Sequence, residues 1–121
     1  VYVPGLRENG DPRVAVEAYP GLAATRLGVR HYKNDTAETT ATRRAARRVI
    51  VQRLETAQPL GVAVSMPPRL ARRCIDDARG DALDAVLCAA QAAWCAVRRQ
   101  RRFGLPAQVD PVEGWIATVE I

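Results

Sequence analysis

Asp81 and Asp84 stand three residues apart in Asp81-Ala82-Leu83-Asp84-Ala85, directly after Gly80 and ahead of a long stretch free of helix breakers. At that spacing both carboxylates share one side of a helix's first turn. The small Ala85, Cys88 and Ala92 keep that side narrow, so the pair could hold a hard divalent cation. Acids in a first turn also complement the helix dipole, each worth about 0.3–1 kcal/mol, and both readings stay open. A third carboxylate, Glu17, sits near the end of Arg13–Tyr19, where Val14, Val16 and Ala18 alternate with Arg13, Ala15, Glu17 and Tyr19 until Pro20. That alternation predicts a strand, with Glu17 on a solvated face or at a working edge. A strand acid and a helix-start acid pair are what Mg²⁺-dependent phosphoryl-transfer sites gather at the end of a sheet, because Mg²⁺ prefers oxygen ligands.

Other polar residues are less directive. His31 is the sole histidine, with no serine, cysteine or acid at a recognisable triad spacing. Lys33 is the sole lysine among 18 basic residues; its compact charge suits phosphate, and it suits a plain surface equally. Arg43, Arg44, Arg47, Arg48 and Arg53 fall opposite an apolar stripe, where the i,i+4 pairs repel by about 0.2–0.5 kcal/mol each. This face is either solvated or a grip for phosphates, and no aromatic residues interleave to stack bases. Cys74, Cys88 and Cys95 are odd in number and lack a C-x-x-C, so neither a disulfide framework nor a zinc site is indicated; buried packing in a reducing cytoplasm is the expectation.

The elements that must position these groups follow from periodicity. The 121 residues, 48% hydrophobic and 26% charged, suit one domain with a modest core. A turn-rich start precedes the strand, and a short turn of helix over Leu22–Leu27 ends at Gly28. A helix is expected over about 36–57, opened by Asp35-Thr36-Ala37-Glu38, then a short strand over Leu60–Met66. Pro67 and Pro68 start a further helix to Asp77. The longest helix is expected from Asp81 to about Arg99, with Arg98, Arg99, Arg101 and Arg102 complementing its dipole. Ile116–Ile121 alternates like a terminal strand. The net charge of +5 admits an acidic partner. No apolar run reaches the roughly 18–20 residues of a membrane span and no leader opens the chain, so a soluble cytoplasmic protein without a membrane partner is expected. The first residue is Val1 rather than Met, which suggests a piece of something longer.

Taken in order, Val16-Glu17-Ala18-Tyr19-Pro20, His31-Tyr32-Lys33, Asp81-Ala82-Leu83-Asp84-Ala85 with Cys88-Ala89-Ala90, and Glu113-Gly114-Trp115-Ile116 resemble the C-terminal part of domain of unknown function family 429. That family is described as predicted nucleases with an RNase H-like fold, and the resemblance runs from about residue 13 to 119. The helix-start acids also resemble those of Holliday-junction resolvases of the RuvC type.

The resemblance implies an α/β, RNase H-like domain over residues 1–121, reduced to its C-terminal portion of strand, helices and terminal strand. It implies that Glu17, Asp81 and Asp84 are catalytic acids binding Mg²⁺ or Mn²⁺ for phosphodiester hydrolysis, with two ions activating water and stabilising the leaving oxygen. Lys33, Arg43 and Arg47 would then hold the nucleic-acid backbone. The family's first acid lies in a G-x-D motif on an N-terminal strand; this chain lacks it, and Asp11 in its Gly-Asp-Pro turn does not replace it. The expectation is therefore the second half of a longer protein, or a shortened relative unable to hold two metals. Its open strand edge would pair with a missing N-terminal segment or with a second copy. The alternative is a non-catalytic RNase H-like module that binds nucleic acid or protein through the arginine face.

Overall fold

A computed structural model of the chain describes residues 1–118. Its elements are four helices, α1 (Pro20–Arg26), α2 (Ala41–Leu54), α3 (Pro68–Asp76) and α4 (Asp81–Ala96), followed by a short 3₁₀ segment, Arg99–Gly104. Proline opens α1 and α3, where a missing N–H is harmless and the fixed φ is already helical. Helix α2 begins five residues later than its acidic signal suggests. Thr40, extended at φ −99° and ψ 149°, caps it by accepting from the Arg43 N–H at 3.3 Å, and Thr39 is held by Arg47, so residues 35–40 remain outside the helix.

α4 packs against both α1 and α3, while α2 packs against α3. The core gathers Ala23, Ala24 and Leu27 from the α1 region, Ile50, Val51 and Leu54 from α2, Cys74 from α3, and Leu83, Leu87 and Ala90 from α4, closed by Leu60 and Met66. Small residues on α1 allow its close approach to α4. A second cluster forms around Trp94, Cys95 and Ala117, with Val16, Phe103 and Trp115 against it. Gln91 reaches from α4 into this region and donates to the Ala117 carbonyl at 2.9 Å.

The expected α/β, RNase H-like fold is not what forms. The described residues are 44% helical with 7% in strand or bridge positions and no sheet. Among the described residues Arg13–Tyr19 makes only single-residue parallel bridges, Tyr2 to Val14 and Glu17 to Ile116, through bonds such as Ala15 N–H to the Tyr2 carbonyl (2.9 Å) and Ala117 N–H to the Glu17 carbonyl (2.8 Å). An alternating segment becomes a strand only where a neighbour pairs along its length. Leu60–Met66 lacks such a neighbour among the described residues too: Val64 N–H bonds to the Leu54 carbonyl at 2.7 Å, and Leu60 and Met66 enter the helical core instead. Of the expected terminal strand, Ile116 makes one bridge, and residues 119–121 lie outside the described residues.

Candidate functional site

The polar cluster at the start of α4 is built by chain geometry before chemistry. Gly80, at φ +78°, precedes the helix, and a Cβ there would lie 2.9 Å from the Lys33 Cβ. Only a residue without a side chain lets the Tyr32–Lys33 segment lie against this turn. Asp77 rather than Gly80 caps the helix: its Oδ2 accepts from the Ala82 N–H at 2.9 Å. The Asn34 N–H donates to the Ala78 carbonyl at 2.9 Å, fastening the two segments side by side.

Asp84 is the hub. Its Oδ1 accepts from the Tyr32 hydroxyl and its Oδ2 from the Lys33 ammonium, both at 2.6 Å. These are short, charge-assisted bonds. Lys33 is about half exposed and Asp84 mostly covered, while Tyr32 is buried. Burial, followed by the bond to Asp84 and its charge, pushes the Tyr32 phenol above the ordinary tyrosine range, so Tyr32 stays protonated and donates. From the other side, Arg43 donates to the Lys33 carbonyl and Arg47 to the Tyr32 carbonyl at 2.8 Å. Cys88 is one turn beyond Asp84; burial and then the Asp84 charge raise its thiol, which favours the protonated form.

The structure does not bring all the expected site residues together. Asp81 is exposed on the first turn of α4, and Glu17 is exposed at the bridge to Ile116, with its carboxylate facing Gly114. Among the described residues, no group of three or more His, Cys, Asp and Glu side chains gathers to hold a metal ion. Both Asp84 oxygens already face donors. As placed, the described residues do not fit a two-ion Mg²⁺ or Mn²⁺ centre.

The arginine face also differs from expectation. Arg47, expected on a substrate-facing surface, is 0% exposed and donates at 2.8 Å to each of the Ile75 carbonyl, the Tyr32 carbonyl and the Thr39 hydroxyl. Burial pushes its guanidinium below the ordinary value, and the three acceptors hold it as a cation. Arg44 pairs with Asp76 at 2.6 Å, and Arg53 donates to the Leu27 carbonyl. Internal acceptors thus offset the repulsion within this arginine row. The sequence carried one usable signal of this: position 47 lies three before Ile50 and seven before Leu54, on the buried stripe of α2.

A family model described as a protein of unknown function, DUF429, matches residues 5–109. The chain belongs to the DUF429 family. Comparison with curated proteins and with solved structures gives no match. In this DUF429 domain, Tyr32, Lys33 and Asp84, taken from two of the motifs that carry the family likeness, meet in one cluster. Among the described residues no helix is long and apolar enough to cross a membrane.

The Tyr32–Asp84 bond should be measurable as stability. Tyr32→Phe is expected to lower the unfolding free energy by about 1 kcal/mol, and Asp84→Ala by about 2 kcal/mol, because the alanine leaves a buried hydroxyl without an acceptor. Urea titrations of both variants check this. Two unchanged midpoints would show that the cluster does not hold the fold.

Proposed function

We propose that this domain binds nucleic acid by gripping phosphates along an arginine ridge between α2 and α3, a role that needs no two-ion cleavage centre. Three ties support an antiparallel run of the two helices: Arg44 to Asp76, Arg47 to the Ile75 carbonyl, and Val64 N–H to the Leu54 carbonyl just before α3 begins. One turn on from Arg44 stands Arg48, and one turn back from Asp76 stands Arg72. Helical register places these two side by side, with Arg69 and Arg73 flanking on α3. The observation that carries the reading is that all four are exposed and have no ion-pair or hydrogen-bond partner among the described residues. Aromatic residues make up only 5% of the chain, which favours contact with the phosphate backbone over base stacking and so implies weak sequence preference.

Metal-dependent phosphodiester hydrolysis is the competing reading. The convergence of residues from two family motifs, Tyr32, Lys33 and Asp84, in one cluster favours it, while the donors already on both Asp84 oxygens and the placement of Glu17 disfavour it. Fluorescence anisotropy with a labelled oligonucleotide separates the two. Binding should fall linearly with log salt, and Arg48→Ala/Arg72→Ala should weaken it at least tenfold at low salt while reducing the slope by about 2. Unchanged binding by that variant overturns the ridge. Cleavage in Mn²⁺ that Asp84→Asn abolishes would establish the competing reading.

A further inference from the structure

We infer that the exit of α4 carries a second, separate anion site, a pocket for a phosphate monoester built on Arg98, Arg99 and Arg101. These three line a cavity of about 660 Å³ together with Gly61, Ala96, Val97 and Gln100, and no acidic residue is among the lining groups. The volume suits a ligand of nucleotide size.

Helix-dipole complement does not account for these arginines. Guanidiniums serving that role bond the last carbonyls of the helix. Only Arg98 does so, donating to the Trp94 carbonyl at 3.2 Å. Arg99 and Arg101 are exposed, and neither donates to a helix carbonyl nor pairs with an acid among the described residues. Arg102, by contrast, is occupied with the Pro106 and Ala107 carbonyls at 3.1 and 3.2 Å.

Arg98 is pre-set. Its guanidinium carbon lies 3.9 Å over the ring centroid of Trp94, so its plane is held by stacking and its fork of donors is fixed in direction. Gly61, at φ +76°, lines the same cavity beside Arg98, where a Cβ would stand in ordinary contact with Arg98 Nη2 at 3.6 Å. Arg102 and Phe103 follow in left-handed conformations at φ 54° and 58°. Such backbone occurs where the surroundings over-determine it, ligand clamps included. Three like charges around one polar cavity, one held rigid and two unpaired, fit a doubly charged group whose oxygens accept forked N–H donors, which is the chemistry of a terminal phosphate.

Isothermal titration calorimetry on the whole chain at constant ionic strength tests this with three probes: inorganic phosphate, adenosine 5′-monophosphate, and a short oligonucleotide with a 5′-phosphate or a 5′-hydroxyl. The expected result is saturable binding of inorganic phosphate or the monophosphate, weakened at least tenfold in Arg99→Gln/Arg101→Gln and unchanged in Arg48→Ala/Arg72→Ala, or a preference for the 5′-phosphorylated oligonucleotide over its 5′-hydroxyl form that Arg99→Gln/Arg101→Gln removes and Arg48→Ala/Arg72→Ala keeps, so that this pocket and the ridge fail independently. Tenfold preference for the monophosphate over inorganic phosphate identifies a nucleotide as the source. Tenfold preference for the 5′-phosphorylated oligonucleotide over its 5′-hydroxyl form identifies a strand end. Equal affinity of wild type and Arg99→Gln/Arg101→Gln for all probes, or no binding at all, overturns the site.

Discussion

Arg47→Met should lower the unfolding free energy by about 3–5 kcal/mol, although methionine is a good helix former and the site is closed to solvent. The guanidinium satisfies three oxygens at once: the Ile75 carbonyl in the last turn of α3, the Tyr32 carbonyl in the loop before α2, and the Thr39 hydroxyl just before the helix starts. Ile75 lies among the terminal carbonyls that a helix cannot bond itself. A thioether fills part of the volume but donates nothing, so each oxygen is left facing protein without a hydrogen. Each such loss costs about 1–3 kcal/mol, and removing a charged partner from a buried network sits at the upper end. Against a total stability of about 5–15 kcal/mol for a domain, much of the fold depends on this one side chain. Arg48→Met, one residue on and exposed, is the control and should stay within about 0.5 kcal/mol. Urea unfolding followed through Trp94 and Trp115 reads both. A loss under 1 kcal/mol for Arg47→Met would mean that its acceptors find other donors.

The same residue shows where the sequence is legible and where it is not. Local signals placed α3 and α4 well: Pro68 opens one, and Gly80 followed by Asp81 opens the other, because cap and first-turn chemistry act within a few residues. They misplaced α2, whose start depends on Thr40 as cap and on Thr39 being held by Arg47 from within the helix. Charge pattern placed Arg47 on a free face, whereas its position relative to Ile50 and Leu54 put it inside. The tertiary acceptors that make burial of a cation tolerable lie 8 to 28 residues away in sequence.

The strand at Arg13–Tyr19 illustrates a different limit. Alternation sets which faces a segment would present, while a sheet needs partners, and here single bridges to Tyr2 and Ile116 are all that the described residues supply. The RNase H-like architecture rested on that sheet and fails with it. For the candidate site, the motif residues Tyr32, Lys33 and Asp84 were visible as isolated short patterns. Their meeting across 52 and 51 positions was not, since nothing in local spacing encodes it. Glu17 was joined to Asp81 and Asp84 through an expected sheet end and through resemblance, and the helical packing leaves it at the bridge to Ile116.

Gly104→Ala should be the most damaging glycine substitution in the chain, lowering stability by about 3 kcal/mol or more. Two effects add. At φ +81° an alanine pays about 1–2 kcal/mol for left-handed backbone. Its Cβ would also overlap Trp94 Cζ3, lie 2.5 Å from Cη2 and sit 3.0 Å from Arg98 Cδ. Trp94 has no room to yield: it is 4% exposed, Arg98 stacks over its ring, and Trp115 lies against it with ring centroids 6.0 Å apart. Overfilling a packed cluster of this kind costs a further 1–3 kcal/mol or so. Gly10→Ala isolates the first effect, because Gly10 has nearly the same backbone, φ +72°, and nothing within 4 Å of its added Cβ; it should lose only about 1 kcal/mol. Thermal and urea melts of the two variants give the difference. A large gap locates the penalty at the Trp94–Arg98 stack, and the monophosphate affinity of folded Gly104→Ala should then fall as well, because displacing the indole releases the guanidinium that it orients. Equal losses in the two variants would show that the stack gives way freely and that Arg98 is not held in place by it.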